Sequence, residues 1–263
     1  MSMITWRYIP LSVNNAAMNM AIDEAILQAR VADKVPNTLR LYRWQPSAVT
    51  VGRNQNPAEQ VYLDAAEKLG ADVVRRPSGG GTVYHDFEGE VTYAVIAKTA
   101  DLGNADVTSV YTKIYSCVKD ALRILGTGSD FNGGDAKNCP NLTIGGKKIS
   151  GSSQTIARGV VLQHGTLLRR VDYDRMFQLL QLKGASCSQA ADIAKQRITS
   201  LEAELGHRIS PDTVASALQQ GFRIMLKAQM EEGELTVEEK ELAAKLYKEK
   251  YSTKEWNNSG KTA

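Results

Sequence analysis

Arg75-Arg76-Pro77-Ser78-Gly79-Gly80-Gly81-Thr82-Val83-Tyr84-His85-Asp86 is the stretch on which the reading of this chain turns. Three consecutive glycines let the backbone approach a ligand closely, and the two guanidiniums before them offer forked donors to a carboxylate or phosphate. The segment is therefore predicted to cradle a small anionic group. It lacks the Gly-Lys-Ser/Thr of a phosphate loop, and it lacks the GxGxxG spacing and following helix of a dinucleotide site, so any nucleotide is held differently. A loop whose glycines serve only backbone geometry is the competing reading. His85 is open both as a general base and as a hydrogen-bonded structural group.

Working outward, residues 72–74 and 90–96 read as strands, so the glycine stretch joins strand to strand. Upstream, 5–10 reads as a strand. Residues 15–30 read as a helix with Met18, Ile22, Ala25 and Ile26 on its inward stripe and Asp23 and Glu24 on other faces. Two strands, 39–42 and 48–51, flank the turn Trp44-Gln45-Pro46-Ser47, and 63–69 is helical. Downstream, 110–125 is a periodic helix with Val110, Ile114, Val118, Leu122 and Leu125 inward, stopped at Gly126. Residues 129–140 are aperiodic, 142–144 and 147–150 form a hairpin about Gly145-Gly146, and 160–169 is a strand. Helices follow at 173–180, 197–205, 211–228 and 237–251. Strands crowd the first two thirds and helices the last third, which predicts α+β architecture. One catalytic domain over 1–263 with a helical C-terminal third, and no internal repeat, is the simplest organisation.

At 263 residues and 43% hydrophobic, the chain can bury a substantial core. A formal charge of +3 is too weak to argue for a nucleic acid or membrane partner. The three cysteines, Cys117, Cys139 and Cys187, form no CxxC pair and suit a reducing cytoplasm. No apolar run reaches membrane-spanning length, and the N-terminus lacks the plan of a signal peptide.

Three further segments can carry chemistry. Gly145-Gly146-Lys147-Lys148 projects two ammoniums, and strand alternation sends them to opposite faces, so one can enter a site while the other stays solvated. Cys139 precedes them in the aperiodic run, where a neighbouring ammonium can lower a thiol pKa from about 8.5; an inert buried thiol is the alternative. Gln163-His164-Gly165-Thr166 sets polar atoms inside a strand, with Gly165 allowing a close approach.

Taken with Gly-Lys-Lys-Ile-Ser-Gly-Ser at 146–152 and Leu-Gln-His-Gly-Thr-Leu-Leu at 162–168, the glycine stretch resembles the biotin/lipoate ligase and transferase superfamily. Within it the chain looks like the catalytic part of a lipoate-protein ligase. The likeness runs from Asn19-Met20-Ala21-Ile22-Asp23-Glu24-Ala25 to the tail ending at Asn257. It implies a mixed β-sheet forming a ligand cleft, with flanking helices. It also implies a two-step reaction in which ATP activates lipoate as lipoyl-AMP and a lysine of a lipoyl-carrier domain displaces AMP. The carrier would be of the 2-oxoacid dehydrogenase E2 or glycine cleavage H protein type. Mg²⁺ is implied by adenylate formation, although no metal-ligand cluster is identifiable. Substrate and ATP contacts are expected from Arg76, Gly79, Gly80, Gly81, Thr82, Val83, Tyr84, His85, Asp86, Ser150, Gly151, His164 and Gly165. Lys148 would be the principal catalytic group, holding carboxylate and α-phosphate oxygens, a role typically worth about 3 kcal/mol.

Two departures qualify that expectation. Many ligases carry Asn-Asp where this chain reads Pro140-Asn141. Octanoyltransferases of the same superfamily use a loop cysteine ahead of the Gly-x-Lys segment as an acyl-thioester nucleophile, a place Cys139 occupies here. Ser150-Gly151-Ser152-Ser153-Gln154 and Leu162-Gln163-His164-Gly165 also look like that branch. Gly81, the Val83-Tyr84-His85-Asp86 continuation and the short gap from Cys139 to Lys148 look like the ligases. The leading expectation is an ATP-dependent lipoate-protein ligase, served by a separate accessory subunit because no accessory domain follows. A cysteine-dependent octanoyltransferase moving octanoyl from an acyl carrier to a lipoyl domain, and a non-catalytic lipoate-binding protein, are the alternatives. A biotin ligase fits less well, for want of a Gly-Arg-Gly-Arg-type signature.

Overall fold

The structure, a computed structural model, describes residues 4–103, 106–134 and 139–261. Residues 1–3 of the N-terminal reading, 135–138 of the aperiodic run, and the end of the 1–263 domain span lie outside the described residues. The chain runs β1 (Thr5–Asn14), α1 (Ala16–Val31), β2 (Thr38–Trp44), β3 (Ala48–Val51), α2 (Leu63–Lys68), β4 (Asp72–Arg75), β5 (Val83–His85) and β6 (Glu90–Lys98). It continues α3 (Val107–Ile124), β7 (Asp130–Asn132), β8 (Asn141–Ile144), β9 (Lys147–Ala157), β10 (Val160–Leu168), α4 (Tyr173–Leu179) and α5 (Cys187–Arg197). Last come α6 (Leu201–Leu205), α7 (Pro211–Leu226), β11 (Gln229–Glu232), α8 (Val237–Leu246) and α9 (Lys254–Ser259).

Eight strands form one sheet in the order β11-β1-β2-β6-β10-β9-β8-β7, and β4-β3-β5 form a second. The larger sheet is mixed, because β1 lies parallel to both β11 and β2 while β6, β10, β9 and β8 pair antiparallel. Its central strands are covered on both faces. Val91, Tyr93 and Val95 of β6 pack with Val110, Ile114 and Val118 of α3 and with Leu218 and Phe222 of α7. Ala94 and Ile96 of the same strand pack with Ile22 and Ile26 of α1 and Ala243 of α8. Successive side chains of a strand point to opposite faces, so a strand between two helical layers must be apolar at nearly every position. The smaller sheet closes on α2 and α4 through Val49, Val51, Tyr84, Ala66, Met176 and Leu179. The α+β class and the mixed sheet with flanking helices are as the sequence implies.

Four local differences bear on the site. The glycine stretch contains β5, which pairs antiparallel with β3, so the loop proper is only residues 76–82. Asp23 is fully buried, not on an outer face of α1, because α1 lies between the sheet and α8 and a partner guanidinium is waiting inside. Residues 197–205 are not one helix. An extended break at Ile198 lets Thr199 N–H donate to the Lys148 carbonyl at 2.9 Å, and α6 starts only at Leu201. The helix expected over 237–251 ends as α8 at Leu246 and passes through a π turn at Tyr247–Tyr251 before α9. At Ile198 a tertiary contact overrides local helix propensity.

Candidate active site

The glycine loop is organised by Arg76, but from within. Its guanidinium donates to Gly79 O and Gly81 O, both at 2.6 Å, to Thr50 O and Oγ1 at 3.2 Å, and to Ser153 Oγ at 3.2 Å. An arginine has only five N–H donors, so the set is committed to protein acceptors. Arg75 is used similarly: it donates to the carbonyls of Gly52, Arg53 and Gln55 on one side and of Trp256, Asn257 and Asn258 on the other. The expected forked donors for an anion are in fact staples, one shaping the glycine loop and one fastening the C-terminal tail behind it. Burial lowers the Arg76 pKa to about 10, with nearby Cys139 opposing that shift. Gly80 has φ +84°, a conformation that favours glycine. Gly52 is required by space, because its missing side chain leaves room for the Gly80 carbonyl.

Lys148 reaches this loop because of a bulge. Thr143 faces Lys148 and Leu142 faces Ser150, so Ile149 is an extra residue in β9. A bulge re-aims the side chains on its strand. Lys148 is thereby placed on the face of Gly151 and Ser153 rather than that of Ser150. Its ammonium lies over Gly151, where a side chain would collide with Cε and Nζ at 2.5 Å. Solvent reaches part of Lys148, yet the protein around the ammonium lowers its pKa; Cys139 opposes the shift and Arg76 adds to it. Cys139 is exposed, and its Sγ points at Gly80. Cys117 is buried within the core.

Behind the loop runs a chain of short hydrogen bonds. Arg76 Nε reaches Ser153 Oγ, Ser153 Oγ lies 2.7 Å from Ser78 Oγ, and Ser78 Oγ lies 2.6 Å from His164 Nε2. His164 Nδ1 is 3.2 Å from Asp23 Oδ2, and Asp23 also accepts from Arg40 at 2.7 Å and from the Tyr42 hydroxyl at 2.9 Å. The ends dictate its direction. A guanidinium can only donate and a carboxylate only accept, so Ser153 donates to Ser78, Ser78 to His164 Nε2, and His164 Nδ1–H to Asp23. Burial lowers the His164 pKa in spite of Asp23, so the imidazole is neutral, as this direction requires. Burial alone would raise the Asp23 pKa, but Arg40 and His164 outweigh it and the net shift is downward.

The loop, the bulged strand and this chain enclose a cleft with about 640 Å³ of free space, its open mouth included. Cys139, Lys148, Arg76, Gly80, Gly81, Thr82, Gly151, Ser152 and Ser153 line it, together with Met20, Tyr42, Trp44, Thr50, Val83, His85, Thr92, His164, Gly165 and Thr166. The mouth holds the exposed Cys139 and Lys148, whereas Met20, Tyr42 and Trp44 are at most 1% exposed and close its far wall. His85 is no free base. It stacks on Trp44 at 4.1 Å, and its two nitrogens meet Glu90 at 2.7 Å and Thr50 at 3.0 Å.

Four residues expected to touch ligand do not line the cleft. Strand alternation in β5 sends Val83 and His85 inward and Tyr84 to the opposite face, against Val49 and Val51. Asp86 accepts from Glu88 N–H and caps the next turn. Ser150 falls on the buried side of the β9 bulge, and Gly79 contributes its carbonyl to Arg76. Sequence reasoning passed over Met20, Asp23, Tyr42, Trp44, Ser78 and Ser153. The available signal was Arg40 inside an apolar strand, since a buried cation demands a buried anion. Among the described residues no cluster of three or more His, Cys, Asp or Glu could hold a metal ion, and no helix is long and apolar enough to cross a membrane.

The sequence model described as the lipoyl protein ligase A/B catalytic domain matches residues 15–223. The octanoyltransferase LipM of Kyrpidia tusciae is 35% identical, over 97% of this chain and 99% of its own length. A lipoate-protein ligase A bound with ATP superposes with a TM-score of 0.83 at 29% identity, covering 97% of this chain and 98% of that one. The bi-partite lipoate protein ligase of Thermoplasma acidophilum, described with its E2 lipoyl domain, gives a TM-score of 0.81 at 29% identity, covering 97% and 96%. These findings correct the leading expectation from sequence. Curated full-length relatives at this level of identity are octanoyltransferases, so the ATP-dependent lipoate-protein ligase gives way to the octanoyl-transfer alternative.

Proposed function

The chain belongs to the lipoyl protein ligase A/B catalytic domain family, and on that premise we propose that it is an octanoyltransferase. It takes an octanoyl group from an acyl-carrier thioester onto Cys139 and passes it to a lysine of a lipoyl-type domain. The acceptor class is supported by the Thermoplasma ligase described with an E2 lipoyl domain; a glycine cleavage H-type carrier offers the same lysine chemistry. The observation that carries the reading is the place of Cys139. Its thiol stands at the mouth of a cleft with an apolar far wall, in the field of both Lys148 and Arg76.

Each group has a task that follows from its surroundings. Lys148, its pKa lowered by the protein around it, exchanges a proton more readily than a solvated lysine. In the first half-reaction the Cys139 thiolate attacks the thioester carbonyl. A C–S bond forms to Sγ, the donor's C–S bond breaks, and the donor thiol leaves with the proton given up by Cys139, relayed by Lys148. In the second half-reaction the neutral amine of the acceptor lysine attacks the Cys139 thioester. An amide C–N bond forms, the bond to Sγ breaks, and the amine proton returns to Cys139 through Lys148. The acyl group arrives already activated as a thioester, so the balance consumes no nucleotide.

Met20, Tyr42 and Trp44 receive the hydrocarbon tail. At about 0.8 kcal/mol per buried methylene, an octanoyl chain gains on the order of 5 kcal/mol there. The Arg76-braced glycine loop holds the wall past which the carbonyl enters.

Incubation with octanoyl-acyl carrier protein in the absence of ATP should add one octanoyl mass to the enzyme at Cys139, and adding a lipoyl domain should discharge it. Cys139→Ser should show neither event. Carrier modification that persists in Cys139→Ser, or that requires ATP, overturns the reading.

A further inference from the structure

The backbone that follows Cys139 is tied down from beneath by a buried tyrosine. Tyr115, on α3, is fully buried, and its hydroxyl lies 2.9 Å from Pro140 O. Ser152 Oγ lies 2.9 Å from the same hydroxyl, and Gln163 Nε2 lies 3.0 Å from Ser152 Oγ. The polarity of this chain is also set by its ends. The Gln163 amide N–H can only donate and the Pro140 carbonyl can only accept, so Ser152 donates to Tyr115 and Tyr115 donates to Pro140. Burial raises the Tyr115 pKa well above its ordinary value, which keeps the hydroxyl proton in place. The ring is fixed independently, stacked on Tyr111 and packed at 5.6 Å against Phe131.

Resting on the octanoyltransferase reading, we propose that Tyr115 is a positioning residue for acyl transfer. Its hydroxyl, supplied by Ser152 and Gln163, pins the Pro140 carbonyl and so holds the Cys139 thiol against Gly80 at the cleft mouth. The alternative role, plain support of α3, would be met by the ring alone. Among the described residues a second local tie is Asn141 Nδ2 to Cys139 O at 3.3 Å, a longer bond made from the start of β8, which is held by its pairing with β7 and β9 and leaves the Pro140 carbonyl to Tyr115. Tyr115 is instead carried by the core of the molecule, where Val118 and Ile114 lock its helix to the sheet.

Tyr115→Phe separates these roles, because it keeps the ring and removes only the hydroxyl. The test is made on a Cys187→Ser parent, so that Cys139 is the exposed thiol that reacts, Cys117 being buried. Single-turnover acylation of Cys139 by octanoyl-acyl carrier protein, which needs the thiol in place, is expected to slow about ten- to a hundredfold in Tyr115→Phe. The donor concentration giving half-maximal rate should change less than twofold. Alkylation of Cys139 by iodoacetamide, which needs only an accessible thiol, should change less than threefold. Ser152→Ala, which removes the donor to the hydroxyl, should slow acylation by a smaller factor of about three, and it carries the test should Tyr115→Phe not fold. Acylation within twofold of the parent in the folded variants overturns the positioning role. Absence of a Cys139 acyl adduct in the parent itself instead overturns the octanoyltransferase reading, and this role with it.

Discussion

Replacing Gly52 by alanine probes the glycine loop through a residue that touches no substrate. An ideal Cβ at position 52 would fall 2.0 Å from Gly80 O and 3.1 Å from its carbonyl carbon. Ordinary contact requires more than 3 Å, so the carbonyl must retreat by about 1 Å or more. It cannot do so freely, because Arg76 grips the carbonyls on both sides of it, Gly79 and Gly81, at 2.6 Å. Lengthening either bond by about 1 Å takes it past the hydrogen-bonding range, and a bond to a charged group is worth about 1.5–3 kcal/mol. The expected destabilisation is about 2 kcal/mol, or roughly 4–8 °C in melting temperature for a chain of this size. The loop also faces Cys139, and a shift of about 1 Å at a reacting centre can cost on the order of a hundredfold in rate. Thermal melts and single-turnover octanoyl transfer, both on Gly52→Ala, read the two effects separately. A variant that keeps its acyl-transfer rate within twofold would refute the claim that the braced loop sets the geometry of the site.

Gly151→Ala puts a methyl where Lys148 Cε and Nζ now lie; a flexible side chain can swing aside, so melting should move by only a few degrees while kcat falls about tenfold or more, and an unchanged kcat would remove Lys148 from the chemistry. Burial holds the His164 pKa below its ordinary 6.5, so the unfolded chain takes up that proton first as pH falls. The stability this residue contributes is present above pH 6.5 and is lost below it; the melting-temperature gap between wild type and His164→Gln should therefore narrow between pH 7.5 and about 5.5, and a constant gap would contradict the neutral assignment. Met20→Ala enlarges the far wall of the cleft, and the ratio of kcat/KM for decanoyl over octanoyl donors should rise about tenfold; an unaltered ratio would place the chain end elsewhere.

Much of the site is legible in the sequence because short-range rules govern it. The Gly-Gly-Gly run, the Gly145-Gly146 turn and the apolar strands around His164 are local signals, and the loop, hairpin and strand appear where those signals put them. Opposite aims for Lys147 and Lys148 also follow from strand alternation. What alternation does not contain is the extra residue Ile149, which decides whether Lys148 shares a face with Ser150 or with Gly151. The two arginines show the same limit: their donor geometry was readable, but not whether a ligand or the protein's own carbonyls would use it.

By itself, then, the amino-acid order determined the superfamily, the α+β class and three of the segments that meet at the cleft: the glycine loop, the lysine hairpin and the strand of His164. The superfamily rests on the likeness of its motifs to that family; the class and the segments rest on glycine geometry, period-two and helical patterning, and residue types that act over a few positions. Only the tertiary structure decided that Asp23 lies beneath His164, that Tyr115 reaches Pro140, and that Cys139 faces Gly80 beside Lys148. Those contacts join residues apart in the chain, and for Asp23, His164 and Tyr115 the partners are selected by burial: a charged or polar group withdrawn from water must find its counterpart wherever the packed helices and strands bring one within reach.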